Sequence, residues 1–481
     1  MSDLNVVAAT PLIITSGAGA LAMGAGLLPG RGLRRHAPTA VAAAGIAGAI
    51  VMSVVLWGDR QEAFAGGLRA DRFSLLLNCL FLTAALATLA LAWREPAAVD
   101  RRGEYAGLVL IAVTGMMLVA GAGDLISIFL GVEILSVSLY VLCALEVWRE
   151  RSLESGLKYL ITGAVGAAIL LYGLTLLFGA TGATDLATIG RELAGATFTG
   201  EPLVVAAMAL IAAGLAFKAS AAPFHMWTPD VYQGAPTTIT AFMATATKAA
   251  ALAAFLRIFS GALPDLRPDW QAAIAVVAVA SIVVGNVAAL VQTNMKRLLA
   301  YSSIAQAGYL LIGVAAGTIQ GAEAVLYYLL AYAAMTLAAF AVVIVREREV
   351  VDGDELAALR GYGRARPVLG VVMAVAMLSL AGFPPLSGFV GKFLLFGAAV
   401  EADLVWLAIV GALGSVVSLA YYLRVVAVMW LAGEEPAKLL RMPGPVAIAT
   451  VTSGVAVVAL ALMASPVLDA CRGAAQALLA P

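Results

Sequence analysis

Ala381-Gly382-Phe383-Pro384-Pro385-Leu386-Ser387-Gly388-Phe389-Val390-Gly391-Lys392 lies inside an apolar run that reaches from 368 to 399. One bilayer crossing takes about 20 apolar residues, so the run is too long for one simple span. Two consecutive prolines remove two backbone donors and cannot continue a helix, so the stretch predicts a broken transmembrane helix. Working outward, further apolar runs lie near 6–28, 39–57, 73–92, 106–122, 125–147, 156–179, 202–221, 237–259, 271–291, 299–316, 321–345, 404–430 and 446–468. The expected fold is an all-α polytopic membrane protein with about 14 transmembrane helices. The longest polar link, 346–366, mixes arginines with acids and predicts a short surface helix.

Composition agrees with this. Of 481 residues, 62% are hydrophobic and 12% charged, and the mean hydropathy is +0.98. A soluble chain carries about 25% charged residues, so an ordinary globular enzyme and a disordered chain are both excluded. The 29 Lys+Arg balance 29 Asp+Glu, which leaves no basic excess for nucleic acid. Cys79, Cys143 and Cys471 lack the C-x-x-C spacing of a zinc or iron–sulfur site. Asp3 precedes the first apolar run and Arg31, Arg34 and Arg35 follow it, the reverse of a cleaved signal peptide.

Basic residues set the expected orientation. With the N-terminus outside, inside segments hold 17 of them: Arg31, Arg34, Arg35, Arg94, Arg101, Arg102, Arg149, Arg151, Lys296, Arg297, Arg346, Arg348, Arg360, Arg364, Arg366, Lys438 and Arg441. Outside segments hold 6: Arg60, Arg69, Arg72, Arg191, Arg267 and Arg472. Both termini are therefore expected outside.

The charges left inside the apolar runs carry the functional signal. Four of only six lysines fall there, Lys158, Lys218, Lys248 and Lys392. A charge at mid-membrane costs about 2.5–3.5 kcal/mol on insertion scales. Lysine, unlike arginine, can escape that cost by shedding its proton, which suits a proton carrier. The bland alternative is a lysine reaching to the interface, which fits Lys158 best. Glu133 is the one acid deep within a run, and beside Lys218 it would form a pair sensitive to its separation, or a purely structural one. A second break follows Lys218, in Ala222-Pro223-Phe224-His225-Met226-Trp227-Thr228-Pro229-Asp230. Paired helix interruptions in two halves of a chain point to repeat-built transporters and their ion sites. His225 could relay protons or simply bond a backbone group in its turn. Tyr301-Ser302-Ser303-Ile304-Ala305-Gln306-Ala307-Gly308-Tyr309 offers hydroxyls and an amide, for a water chain or for helix packing.

Phe224 to Pro236, with its Val231-Tyr232-Gln233-Gly234-Ala235-Pro236 ending, resembles the signature of the antiporter-like subunits of respiratory complex I. It is closer to subunit N than to subunits L or M or the Mrp-type antiporters. Met295 to Ile304 and Gly382 to Lys392 match as well, and the likeness covers roughly 70–430. The resemblance implies two inverted five-helix repeats, each with a broken helix. It implies N-terminal helices over 1–105, a proton-translocating core over 106–430 and a last helix and tail over 431–481. Residue by residue, Glu133 matches the fifth-helix glutamate, Lys218 the broken seventh-helix lysine and Lys248 the central eighth-helix lysine. Lys392 matches the broken twelfth-helix lysine near the exit, and Lys158 a sixth-helix lysine of less defined role. The L and M relatives carry later histidines that this chain lacks, which leaves the route from Lys248 to Lys392 open. The resemblance implies a proton-translocating subunit of NADH-quinone oxidoreductase in a bacterial plasma membrane. FMN, iron–sulfur clusters and quinone chemistry would belong to partner subunits, with no cofactor or metal in this chain. The buried pattern alone also permits an Mrp-like cation/proton antiporter, a membrane hydrogenase subunit or a non-conducting scaffold.

Overall fold

The computed structural model describes residues 5–95, 101–194, 202–431, 433 and 439–479. Asp3 and Lys438, used above for the termini and for the charge bias, lie outside the described residues. The chain runs α1 (Val6–Ala25), α2 (Arg31–Val55), α3 (Arg72–Leu91), α4 (Arg102–Ala120), α5 (Leu125–Cys143) and α6 (Glu150–Thr181). The short α7 (Leu186–Glu192) follows, then α8 (Pro202–Ala219), α9 (Thr228–Gly234) and α10 (Thr237–Ala262). The second half holds α11 (Arg267–Leu290), α12 (Met295–Ala316), α13 (Ile319–Glu349), the four-residue α14 (Tyr362–Ala365), α15 (Pro367–Ala381), α16 (Ser387–Glu401) and α17 (Val405–Leu431). Two more helices end it, α18 (Gly444–Leu462) and α19 (Ala464–Leu479).

Among the described residues, 13 helices are long and apolar enough to cross a bilayer. α15 is too short alone, and with α16 it makes the fourteenth crossing as a broken helix. The spans fall where the apolar runs lie. Three features went unforeseen. A two-stranded antiparallel hairpin, β1 (Gln61–Ala63) with β2 (Leu68–Ala70), joins α2 to α3. The helix α19 follows the last span. The 346–366 link is the end of α13, a 3₁₀ turn at Leu356–Leu359 and α14, in place of one surface helix.

Two five-crossing units run from Arg102 to Ala262 and from Arg267 to Leu431. Their equivalence is written in the loops. Asp124 bridges Asp185, and Asn294 bridges Glu355, so the second bridge lies 170 residues downstream at both ends (124 to 294, 185 to 355). Asp124 and Asn294 each cap the following helix, accepting from the amides of Ser127 and Arg297. An odd number of crossings makes the second unit enter from the opposite side, so the repeats are inverted. Small residues let the helices close up: a methyl on Gly115 would strike Gly131 of α5, and one on Gly285 would strike the α12 backbone near Ala305.

α10, α12 and α13 are almost wholly enclosed by other helices, whereas α1, α2, α6, α11 and α17 leave a face on the outside of the bundle. The one arginine deep in α10, Arg257, is spoken for. It pairs with Asp71 at 2.8 Å, donates to the Ala120 carbonyl at 2.9 Å and stacks over Phe73. Arginine does not release its proton, so this cation is a structural tie between α10 and the start of α3.

Candidate functional site

Both interrupted helices stop in the same way. α8 ends in a left-handed Ser220 (φ 61°) and α15 in a left-handed Gly382 (φ 88°). In each, the next amide reaches back five residues: Ala221 to the Ala216 carbonyl and Phe383 to the Leu378 carbonyl. A serine in this conformation is strained by roughly 1–2 kcal/mol, which glycine avoids. Such a stop leaves the last carbonyls of α8 and α15 without helical donors at membrane depth, where something else must satisfy them.

Two lysines do. Lys248 Nζ donates to the Ala219 carbonyl at 2.6 Å and to the Ser303 carbonyl at 2.9 Å. Lys392 Nζ donates to the Leu380 carbonyl at 2.9 Å and the Ala381 carbonyl at 3.2 Å, and lies 4.4 Å from the Tyr309 ring centroid. Both side chains are buried. The helix dipole places partial negative charge at these ends, which favours an ammonium. Lys248 directly follows a π-helical turn, Met243–Thr247, whose extra residue turns its side chain toward the break.

Lys218 is also buried, on the last turn of α8. Its Nζ donates to Ser136 Oγ at 2.7 Å and lies 5.9 Å and 5.8 Å from the Tyr140 and Phe217 rings. The Ser136 hydroxyl in turn donates to the Val132 carbonyl. Glu133 acts on Lys218 from a distance, without a direct contact. Among the described residues no ion pair joins them, and Ser136, one turn along α5, takes the contact instead. Glu133 Oε1 is buried without a protein partner nearby.

Lys158 sits differently. Its ammonium meets Glu154 at 2.7 Å and Asp230 at 3.1 Å, and its side chain is 44% exposed. Arg297 holds the same Asp230 at 2.7 Å. Lys158, Glu154 and Asp230 line an open cleft of about 230 Å³ between α6 and α9. His225 lies half-buried in the first break, with Nδ1 unpartnered.

Between Lys248 and Lys392 runs a chain of hydroxyls and one amide. Ser302, next to the residue whose carbonyl Lys248 holds, bonds Tyr422 at 2.5 Å. Tyr422 accepts from Gln306 at 3.1 Å, and Gln306 donates also to the Leu380 carbonyl at 3.2 Å. That carbonyl is the one Lys392 holds. Tyr328 donates to Gln306 from the other side. A second group, Asn286 with Tyr309 at 3.1 Å and Tyr421 at 3.0 Å, borders it. Ser302, Gln306 and Tyr309 stand in the polar run noted in the sequence. Tyr328, Tyr421, Tyr422 and Asn286 were missed, because a tyrosine in an apolar run reads as bulk and only packing shows where its hydroxyl points.

Among the described residues, no three His, Cys, Asp or Glu side chains gather as a metal site. Cys79, Cys143 and Cys471 stand on α3, α5 and α19, unpaired.

Comparison with known proteins adds the lineage. Residues 122–418 match the family model described as "NADH:quinone oxidoreductase/Mrp antiporter, TM". A relative from Trichlorobacter lovleyi, "NADH-quinone oxidoreductase subunit N", is 43% identical over 411 residues, covering 85% of this chain and 84% of its own. One of the same name from Moorella thermoacetica is 41% identical over 458 residues, 94% of each chain. A chain of respiratory complex I from Thermus thermophilus, solved with bound Aureothin, superposes with TM-score 0.82 at 38% identity, covering 95% of this chain and 98% of that one. A chain of the Mrp complex from Dietzia superposes with TM-score 0.87 over 99% and 98%, but at 23% identity it speaks for the fold alone.

Proposed function

The chain belongs to the NADH-quinone oxidoreductase subunit N family, and from that premise we propose how its own residues carry protons. As such a subunit it serves an enzyme that couples electron transfer from NADH to quinone to proton translocation. Within it, the core expected over 106–430 carries the path, flanked by 1–105 and 431–481. Protons enter from inside, load Lys218 and Lys248, cross Ser302, Tyr422 and Gln306 to Lys392 and leave outside. The single observation behind this is that Lys248 and Lys392 each hold a freed carbonyl at the end of a broken helix and are linked by one hydroxyl–amide chain.

The chemistry of an amine suits the task. An ammonium has three N–H donors and a neutral amine two. Lys248 and Lys392 each serve two carbonyls, so each can release its third proton without leaving a buried carbonyl unpaired. Glu133 gates the entry electrostatically. Approach of its carboxylate to Lys218 favours the ammonium and withdrawal favours release, at about 4 kcal/mol for a 4 Å pair at an effective dielectric of 20. Lys158 acts at the inside edge, holding α6 to α9 through Asp230.

FMN, the iron–sulfur clusters and the quinone site are assigned to partner subunits, among them homologous antiporter-like membrane subunits. The membrane is the bacterial plasma membrane, with both termini outside. The test is Lys248→Ala in the assembled complex. Proton pumping and quinone reductase turnover should fall together by at least about 10-fold. Full pumping would sink the relay, and loss of assembly alone would favour the scaffold alternative.

A further inference from the structure

A cavity of about 670 Å³ opens between the link after α3, the link after α5 and the end of α13. Arg94, Arg149, Arg151 and Arg441 line it, all basic residues of the segments assigned to the inside. Arg348 and the acids Glu146, Glu347, Glu349, Asp352 and Asp354 line it too, so the rim carries both signs. One acid in its wall is of another kind. Glu95 is only 7% exposed and pairs with no cation within salt-bridge distance among the described residues. Its Oε2 accepts from Thr238 Oγ1 at 2.5 Å, and Thr238 Oγ1 stands 2.7 Å from Tyr105 Oη. Thr238 belongs to α10, the helix of Lys248.

We propose that Glu95 is the proton-collecting group of an inward-facing vestibule and passes protons through Thr238 along α10 toward Lys248. This rests on the relay reading above. Glu95 lines the cavity on one side and bonds a buried hydroxyl on the other, the geometry of a group that loads from one and unloads to the other. Thr238, Thr245 and Lys248 follow one another along α10, with the π-helical turn between the first and the last. Thr238 stands about 15 Å from Lys248 along the axis. Thr247, beside Lys248, has a buried hydroxyl with no protein partner.

Charge around Glu95 comes from Arg348 and Glu347 of α13, Glu146 after α5 and the Tyr105 phenol of α4. Burial outweighs the Thr238 hydrogen bond and Arg348 and lifts the Glu95 carboxyl to about 7. An ordinary glutamate is ionised at neutral pH and carries no proton; this one is half loaded there.

The experiment uses the whole complex in inside-out vesicles, with turnover normalised to flavin. Glu95→Gln keeps the size and the acceptor for Thr238 but cannot titrate. Proton uptake and quinone reductase turnover should fall at least about 10-fold, and the pH dependence near 7 should vanish. Glu95→Asp should recover part of the rate with that limb moved to lower pH. Wild-type rate and profile in Glu95→Gln would overturn the proposal. If Glu95→Gln fails to assemble, Thr238→Val decides: several-fold slower pumping supports the path, and an unchanged rate refutes it. A dead Lys248→Ala beside a normal Glu95→Gln leaves the relay standing and places the entry elsewhere. A normal Lys248→Ala removes the relay itself.

Discussion

At the scale of the residue, the two-carbonyl clasp of Lys248 and Lys392 makes a sharp distinction between charge and protonation. Lys392→Arg keeps a cation near the Leu380 carbonyl but cannot deprotonate. The complex should assemble, and pumping and reductase turnover should drop together by at least about 10-fold; near-normal turnover would mean that charge alone suffices. Tyr422→Phe removes the hydroxyl joining Ser302 to Gln306. It should cost about 1 kcal/mol of stability and slow pumping several-fold, read as proton flux per NADH oxidised. Glu95 gives a stability signature as well. Between pH 4.5 and about 7 the folded chain holds a proton there that the unfolded chain has released. Stability therefore falls as pH rises through that window, and Glu95→Gln should flatten the slope in thermal unfolding of the detergent-solubilised complex. The buried lysines were legible in the sequence, because a charge in an apolar run is rare. The contact of Lys218 with Ser136 rather than Glu133 was not, because which of two side chains one turn apart meets a neighbouring helix depends on how the helices are rotated.

At the scale of the element, the interruptions do the positioning. The prolines announce both breaks, but the left-handed Ser220 carries no such sign, since serine is ordinary elsewhere. α16 restarts against α15 so closely that Gly388 lies on the Ser379 carbonyl while its amide takes the Ser379 hydroxyl. Gly388→Ala would drive its methyl into that oxygen. The expected outcome is a loss of about 1–3 kcal/mol in thermal stability and reduced turnover from displacement of Lys392. The π-helical turn before Lys248 is likewise silent in sequence: Met243-Ala244-Thr245-Ala246-Thr247 would pass for ordinary helix.

At the scale of the whole molecule, two inverted units bring the ends of α8 and α15 to the middle from opposite faces, with α10, α12 and α13 filling the space between. That enclosure is why Lys218, Lys248 and Lys392 are buried, whereas Lys158 on the outer helix α6 is half exposed. The orientation has its own test. A cysteine at Val351, which is 91% exposed, should react with an impermeant thiol reagent only from inside, and one at Phe64 in the hairpin only from outside. Reversed labelling would overturn the assignment.

The sequence by itself determined the membrane class, the count of crossings, the two breaks and the lysines worth watching. These follow from hydropathy, proline chemistry and the insertion cost of charge, all local properties. Only the tertiary structure decided who meets whom: Lys248 with the end of α8, Lys392 with the end of α15, Tyr422 and Gln306 between them, and Glu95 against Thr238. Partners in these contacts come from helices far apart in the chain, and their meeting depends on rotation and depth, which no local pattern records.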